Sequence, residues 1–198
     1  VPSKEFFGMI TNIDDNIGLL MNKLEDLKIA DNTILVFITD NGSAMGEHKS
    51  KEINPYNAGM RGKKNSEYDG GHRVPFFIRW KNGNIEADRD ISQITSHIDV
   101  LPTLIDLCNL EDKYQTIYDG KSLVPLLNNE FYQWNDRILI TDSQRLQHPV
   151  KWRKSAVMSD KYRLVNGNEF YNIIEDPSRQ NDIAEQHPEM VKQYREVY

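Results

Sequence analysis

The segment 34–73 constrains the fold more than any other part of this chain. It begins with an uninterrupted apolar run, Ile-Leu-Val-Phe-Ile, and turns polar at Thr-Asp-Asn-Gly, residues 39–42. Such a run is typical of a strand covered on both faces, and polar side chains at the carboxyl end of a core strand are well placed to bind a ligand. A glycine-rich loop at 62–73 then carries Lys64 and Arg73, which predicts a site for an anionic substrate.

Helical and strand patterns alternate around this segment. Residues 1–28 place apolar side chains at helical spacing and predict one amphipathic helix before the strand. Residues 76–80, Phe-Phe-Ile-Arg-Trp, predict a second core strand, and a helix is expected from Pro102 onward, with the proline in its first turn. This alternation is typical of an α/β fold.

The pattern changes to short strands in the last third of the chain. We expect these strands at 138–141, 155–158, 162–165 and 169–172. Asn-Gly-Asn at 166–168 is a strong hairpin signal between the last two. A closing helix is expected from about Pro188. These features predict a small antiparallel sheet followed by a C-terminal helix.

Composition narrows the class of protein. A chain of 198 residues with 38% hydrophobic and 27% charged residues suits one globular domain, or one with a smaller appendage, rather than a disordered protein. The net charge of −6 argues against a nucleic-acid partner, and no apolar run is long enough to span a membrane. The single cysteine excludes an internal disulfide framework. Cys108 lies among leucines, so we expect a small buried core residue.

The polar residues of the central segment suggest a specific chemistry. Asp40 and Asn41 offer hard oxygen ligands, which suit Ca²⁺ or Mg²⁺ rather than zinc. Calcium takes about six to eight oxygens, so most of its ligands must come from elsewhere. Two glycines precede Arg73 and would allow a close approach of the backbone to another group. The spacing does not distinguish a sulfate from a phosphate ligand.

Several strings taken together resemble the second half of the formylglycine-dependent type I sulfatases, an arylsulfatase-like group in the alkaline phosphatase superfamily. The matching strings lie at 39–42, 57–64, 68–75 and 99–103, with a weaker match at 171–177. The resemblance implies that residues 1–130 form the C-terminal part of an alkaline-phosphatase-like α/β catalytic domain. Residues 131–198 would form a small C-terminal α+β subdomain.

The resemblance also implies roles at the matched positions. Asp40 and Asn41 would be two of the calcium ligands, and Lys64 would contact the sulfate group and stabilise charge on the leaving oxygen. Lys63 is the rival for this role if the alignment shifts by one residue. In such enzymes a formylglycine hydrate attacks sulfur while calcium and cations hold the sulfate oxygens, which agrees with the general logic of metal-assisted group transfer.

The chain departs from the family in two respects, since the nucleophile motif is missing and so is the N-terminal pair of metal-binding aspartates with its neighbouring histidine and lysine. The formylglycine arises from a Cys/Ser-x-Pro/Ala-x-Arg motif, and the sequence contains none, since Cys108 is followed by Asn-Leu-Glu-Asp. We therefore expect a C-terminal piece that is inactive alone, binds calcium weakly, and works with the N-terminal half of the same enzyme. The family resemblance also implies a periplasmic or secreted full-length protein that acts on a sulfated small molecule or glycan.

Residues outside the central segment offer further candidates. In similar sulfatases the small sheet packs beside the active site, so Arg145, His148, Lys151 or Trp152 could recognise the non-sulfate part of the substrate. The alternative is that they form an ordinary loop between strands. His48 could line the pocket or lie on a surface loop.

Two other functions remain open at this point. One is a phosphodiesterase or phosphonate hydrolase on the same scaffold, whose members more often place His after the strand Asp; Asn41 favours the sulfatase. The other is a non-catalytic binding module, because the nucleophile is missing. His97 is expected to be structural.

Overall fold

The N-terminal helix predicted from the sequence is present. The computed structural model describes residues 4–44, 56–83, 85–111, 116–130 and 134–198, and helix α1 spans Lys4–Asp26. Within the described chain none of its residues is buried, and large apolar side chains such as Phe7, Ile10 and Leu20 are about half exposed, at 48%, 49% and 48%. The apolar stripe of α1 is therefore mostly uncovered.

The two predicted core strands pair with each other. Strand β1 spans Leu35–Ile38 and strand β2 spans Phe76–Arg79. They are antiparallel, with Val36 opposite Ile78. The expectation that β1 is covered on both faces is wrong for the described chain, since all of its residues are only partly buried. Among the described residues the sheet has two strands, and β2 also contains no buried residue, so β1 does not lie inside a layered core.

Three short helices follow along the chain. Helix α2 spans Asp69–His72, α3 spans Val100–Leu107 and α4 spans Val124–Leu127. Leu126 and Leu127 of α4 are buried and pack near β2 and α3. The prediction of a buried cysteine is wrong, because Cys108 is exposed. It caps the C-terminus of α3, where the chain leaves the helix and turns toward solvent.

The predicted antiparallel sheet is confirmed. It is a meander of β3 (Leu139–Asp142), β4 (Ser155–Met158), β5 (Tyr162–Val165) and β6 (Glu169–Asn172). The last three strands have the predicted bounds, and β3 is shifted by one residue. Asn166 and Gly167 take φ values of 50° and 73°, the positive values that a tight hairpin turn requires.

The C-terminal helix covers one face of this sheet. Helix α5 spans Pro188–Val197, and its Val191 and Tyr194 pack with residues of β4, β5 and β6 in one core cluster. The ring centroids of Phe170 and Tyr194 lie 5.3 Å apart in an edge-on arrangement, which favours aromatic pairing. This cluster is the best-buried core of the described chain.

A buried ion pair connects α3 to the start of β3. Asp99 is fully buried and accepts hydrogen bonds from the backbone N–H groups of Ser96 (2.7 Å) and Lys121 (2.8 Å). Arg137 donates to the same carboxylate, with Nη1 2.9 Å from Oδ1. The division at residue 130 stays a prediction, and this ion pair joins its two sides. None of the described helices is long and apolar enough to cross a membrane.

The core cluster under α5 yields a test of stability. Leu164→Ala should lower the free energy of unfolding by about 2–5 kcal/mol, because Leu164 is fully buried and truncation leaves a cavity. Ile174→Ala is the matched control, since Ile174 is 67% exposed and should change stability by less than about 1 kcal/mol. Urea unfolding followed by circular dichroism measures both; equal losses would contradict this account of the core.

Candidate metal and anion site

The turn after β1 carries the two candidate metal ligands. Asp40 is exposed and its Oδ1 accepts a hydrogen bond from the backbone N–H of Asn41 at 2.9 Å. Asn41 is half-buried, and its Nδ2 donates to the carbonyl of Gly42 at 3.1 Å. Because the amide nitrogen is used in this bond, the amide oxygen of Asn41 is the atom left to act as a ligand. Both side chains thus present oxygen at the carboxyl end of β1.

Backbone contacts hold the lysine loop against this turn. The N–H of Lys64 donates to the carbonyl of Ser43 at 3.0 Å, and the N–H of Gly42 donates to the carbonyl of Gly71 at 2.9 Å. A Cβ atom on Gly42 would overlap the carbonyl oxygen of Gly70, so only glycine permits this approach. Asp40, Asn41 and Lys64 are thereby brought to one place by main-chain geometry.

The two neighbouring lysines, Lys63 and Lys64, differ in exposure and in backbone contacts. Lys64 is half-buried and its own amide contacts the Asp40 turn, whereas the side chain of Lys63 is exposed. The carbonyl of Lys63 accepts a hydrogen bond from Ser66 at 2.8 Å, which closes a turn within the loop. The backbone of Lys64 therefore contacts the turn that follows Asp40, whereas the described backbone contact of Lys63 lies within the loop.

A buried carboxylate attaches the lysine loop to the C-terminal sheet. Asp69 is 1% exposed. Its Oδ1 lies 3.3 Å from Nε of Arg163 on β5 and 3.1 Å from Nε2 of His72, and its Oδ2 forms an ion pair with Arg179, which follows β6. Asp69, His72, Arg163 and Arg179 are called the Asp69 cluster below. The sequence pattern did not predict this cluster.

Burial shifts the protonation equilibria of the Asp69 cluster. Burial, together with the positive charge of Arg163, lowers the pKa of His72 to about 4. Burial also lowers the pKa of Arg163 to about 10, aided by nearby Arg73, and that of Arg179 to about 10. At neutral pH both guanidinium groups are charged and His72 is neutral, so it donates or accepts as an uncharged imidazole.

A second contact between loop and sheet involves two tyrosines. Tyr68 and Tyr171 each donate a hydroxyl hydrogen bond to Oε2 of Glu169, at 2.7 and 2.5 Å. The guanidinium of Arg61 lies 3.8 Å above the ring of Tyr68 and donates to the hydroxyl of Tyr171 at 3.1 Å. Burial and the bond to Glu169 raise the pKa of both tyrosines, so both remain protonated donors.

The predicted substrate-binding residues lie in different parts of the structure. Nη2 of Arg145 donates to Oδ1 of Asn65 at 3.2 Å, so Arg145 lies beside the residue that follows Lys64. Trp152 stacks on Tyr198 with ring centroids 4.3 Å apart, and Nζ of Lys151 lies 5.3 Å from the Trp152 ring. The structure therefore brings Arg145 to the lysine loop and places Lys151 and Trp152 against the end of α5.

The histidine candidates also differ in position. His148 is exposed in the loop between β3 and β4. His48 lies outside the described residues. His97 is exposed, and its Nε2 lies 2.8 Å from the carbonyl of Thr39, directly before Asp40. This contact ties the end of β1 to the helical turn before α3, which fits the structural role expected of His97.

The donor set at the turn fits part of a calcium site. A carboxylate and an amide oxygen are hard ligands of the type that calcium prefers. Among the described residues, no group of three or more His, Cys, Asp or Glu side chains converges to hold a metal. The two residues present are compatible with calcium, and further oxygens are required to complete its coordination.

Comparison with known proteins identifies the family to which this chain belongs. The sulfatase family model matches residues 4–110, more than half of the chain, and the model "N-sulphoglucosamine sulphohydrolase, C-terminal" matches residues 62–197. The chain therefore belongs to the sulfatase family, within the alkaline phosphatase superfamily. The resemblance stated from the sequence strings is confirmed.

Individual relatives agree with this assignment. The chain is 30% identical to human steryl-sulfatase over 145 residues, which are 72% of this chain and 25% of that protein. It is 26% identical to an N-acetylgalactosamine-6-O-sulfatase of Bacteroides thetaiotaomicron over 211 residues, covering 96% of this chain and 40% of that protein. The chain thus spans between a quarter and two fifths of the length of these relatives.

A solved structure confirms the fold class. The crystal structure of the phosphonate monoester hydrolase of Agrobacterium radiobacter superposes with a TM-score of 0.71 at 23% identity, covering 96% of this chain and 39% of that chain. The match shows the fold alone. The predicted α/β architecture with a small antiparallel sheet and a C-terminal helix is confirmed.

The neutral His72 predicts a pH dependence of stability. Its pKa is about 4 in the folded chain and about 6.5 in an unfolded one. The unfolded state therefore binds more protons below pH 6.5, and stability is lost as the pH falls from about 6.5 toward 4. From pH 7.5 to pH 5 this group should cost about 2 kcal/mol.

Urea unfolding at these two pH values checks the effect of His72. His72→Gln should lose most of this pH-dependent difference, because glutamine does not titrate. His148→Gln, in an exposed loop, is the control and should keep the wild-type difference. The same pH-dependent difference in His72→Gln and in the wild-type protein would contradict a buried neutral imidazole.

Proposed function

We propose that this chain is the C-terminal part of a sulfuric-ester hydrolase and supplies one side of its sulfate site. The observation that supports this most strongly is the pair of backbone bonds from Lys64 to Ser43 and from Gly42 to Gly71, at 3.0 and 2.9 Å. They bring a lysine to two hard oxygen ligands in a chain that belongs to the sulfatase family. A cation beside a metal site is suited to hold the oxygens of an anionic group.

Each residue of this half-site would have a separate task. Asp40 and Asn41 would hold calcium, which when bound supplies positive charge to the sulfate oxygens. Lys64 would bind a sulfate oxygen and stabilise the negative charge that develops as the ester bond breaks. The Asp69 cluster would fix the loop, so that Lys64 is oriented before the substrate arrives.

The remaining parts of the site would come from upstream sequence. The 198 residues contain no Cys/Ser-x-Pro/Ala-x-Arg motif, so the formylglycine nucleophile and further calcium ligands would belong to the N-terminal half of the same enzyme. The substrate would be a sulfated small molecule or glycan. Export to the periplasm or outside the cell is proposed for the full-length protein, by analogy with similar sulfatases.

Lys64 is tested in the enzyme that includes the upstream half. Lys64→Ala should lower kcat/KM for p-nitrophenyl sulfate by about 10²–10³-fold, because one preorganised donor to the developing charge is lost. Lys63→Ala removes the same charge one residue away and should change kcat/KM by less than about threefold. A larger loss in Lys63→Ala than in Lys64→Ala would reverse the assignment of the two lysines.

A phosphonate or phosphodiester hydrolase is the second candidate. It rests on the phosphonate monoester hydrolase whose structure shares this fold. Asn41 after Asp40 favours the sulfatase, because relatives of the other type more often place histidine there. The assembled enzyme should show a higher kcat/KM for p-nitrophenyl sulfate than for p-nitrophenyl phenylphosphonate, and the opposite order would establish the second candidate.

The chain alone should not turn over a sulfate ester. Without the nucleophile, the 198 residues should release no p-nitrophenol from p-nitrophenyl sulfate above the rate of a buffer blank, with or without calcium. The enzyme with its upstream half serves as the positive control. Calcium-dependent turnover by the isolated chain would contradict the division of the site between two halves.

A further inference from the structure

A small polar cavity lies beside the lysine loop, on the side facing the C-terminal sheet. Its volume is about 220 Å³, and Asn65 forms one wall. The other lining residues come from the connection between β3 and β4, including Ser143, Arg145, Arg153 and Lys154. Whole-ligand sites are usually about 300 Å³ or larger, so this cavity suits one functional group rather than an entire sugar chain. It is called the basic cavity below.

Three cationic side chains line the basic cavity. They are Arg145, Arg153 and Lys154, in a chain whose net charge is −6. Within the described residues none of the three forms an ion pair with a carboxylate. The nearby carboxylate of Asp142 instead accepts hydrogen bonds from Gln144 at 2.7 Å and from the Tyr198 hydroxyl at 3.0 Å. The cavity therefore concentrates positive charge without an internal counter-ion.

Hydrogen bonds hold the walls of the cavity in place. The side chain of Gln144 donates to the carbonyl of Val150 at 2.9 Å and accepts from its N–H at 2.8 Å. The N–H of Ser143 donates to the carbonyl of Lys154 at 3.0 Å. These bonds close the connection between β3 and β4 on itself. A preformed wall lowers the ordering cost of binding a ligand.

The basic cavity opens one residue away from Lys64. Nζ of Lys154 donates to the carbonyl of Asn65 at 3.3 Å, and Nη2 of Arg145 donates to its Oδ1 at 3.2 Å. Asn65, which lines the cavity, directly follows the lysine proposed to bind the reacting sulfate. Arginine forks and a lysine ammonium match the oxygens of sulfate or carboxylate.

We propose that the basic cavity binds a second anionic group, a sulfate ester or a carboxylate, on the same sugar substrate whose reacting sulfate is held at Lys64. The inference rests on the proposed function and deepens it, since it makes the substrate a polyanionic glycan rather than a singly sulfated small molecule. Arg153 is the specificity residue of this cavity, because it lines the cavity, is exposed, and forms no side-chain hydrogen bond or ion pair among the described residues. Arg145 and Lys154 also brace Asn65.

Binding to the 198-residue chain tests the cavity by isothermal titration calorimetry. The probes are N-acetylgalactosamine 6-sulfate and N-acetylgalactosamine 4,6-disulfate. The disulfate should bind about tenfold more tightly, because a charge-assisted contact is added. Arg153→Gln should remove most of that advantage and leave affinity for the monosulfate within about twofold. Lys192→Gln, which removes one charge from an exposed position on α5, should change neither affinity.

A third probe distinguishes a sulfate ester from a carboxylate as the second anionic group. It is the disaccharide of glucuronic acid linked to N-acetylgalactosamine 6-sulfate, which carries a carboxylate instead of the second sulfate. If the disaccharide gains more affinity than the disulfate and Arg153→Gln removes that gain, the cavity takes a carboxylate. The proposal is overturned if neither dianionic probe binds more tightly than the monosulfate, or if Arg153→Gln and Lys192→Gln have equal effects.

Lys64→Ala distinguishes failure of the cavity from failure of the proposed function. Loss of monosulfate binding in Lys64→Ala, together with an unchanged disulfate advantage in Arg153→Gln, would refute the cavity and keep the sulfate site. Unchanged monosulfate binding in Lys64→Ala, with loss of the disulfate advantage in Arg153→Gln, would refute the role of Lys64. In that second case the cavity is supported as an anion site.

Discussion

The buried carboxylate of Asp69 is the interaction on which the candidate site depends. It lies in the glycine-rich loop and pairs with Arg163 and Arg179 of the C-terminal sheet region. Removing one partner of such a buried pair typically costs about 3–5 kcal/mol, because a charge is left uncompensated. The loop that carries Lys64 is therefore joined to the C-terminal sheet region at Asp69.

The glycine-rich loop is also held from the side of β1, by two main-chain hydrogen bonds. The loop is bound to the turn after Asp40 by main-chain hydrogen bonds at Gly42 and Lys64. These bonds need glycine at 42, where a Cβ atom would overlap the carbonyl oxygen of Gly70. The loop is thus held between β1 and the C-terminal sheet. This explains how one short segment can carry a candidate sulfate ligand and also connect two parts of the fold.

Local patterns predicted much of the fold and of the candidate site. Strands at 155–158, 162–165 and 169–172 were predictable because short strand patterns bounded by turns such as Asn-Gly-Asn are short-range signals. Asp40, Asn41 and Lys64 were identified by resemblance, and the structure places their backbone segments together. The substrate-binding roles of Arg145, His148, Lys151 and Trp152 stay predictions.

Long-range pairings were not predictable from one sequence. Asp69 stands next to two glycines. Arg163 lies within an otherwise apolar strand, and a charged residue in such a strand is a sequence signal of a buried charge. Nothing local indicated that these two residues meet across 94 positions. The exposed Cys108 and the half-buried β1 were mispredicted for a related reason, because apolar neighbours in sequence do not establish what packs over a residue.

Amide hydrogen exchange in Asp69→Asn tests most directly whether this carboxylate holds the lysine loop on the Asp40 turn. Asparagine keeps the size of the side chain and removes its charge. The amides of Gly42 and Lys64 should exchange on the order of tenfold faster, because their hydrogen bonds open more often, while those of Val157 and Leu164 in the sheet keep their wild-type rates. Unchanged exchange at Gly42 and Lys64, or an equal increase at all four amides, would contradict the account.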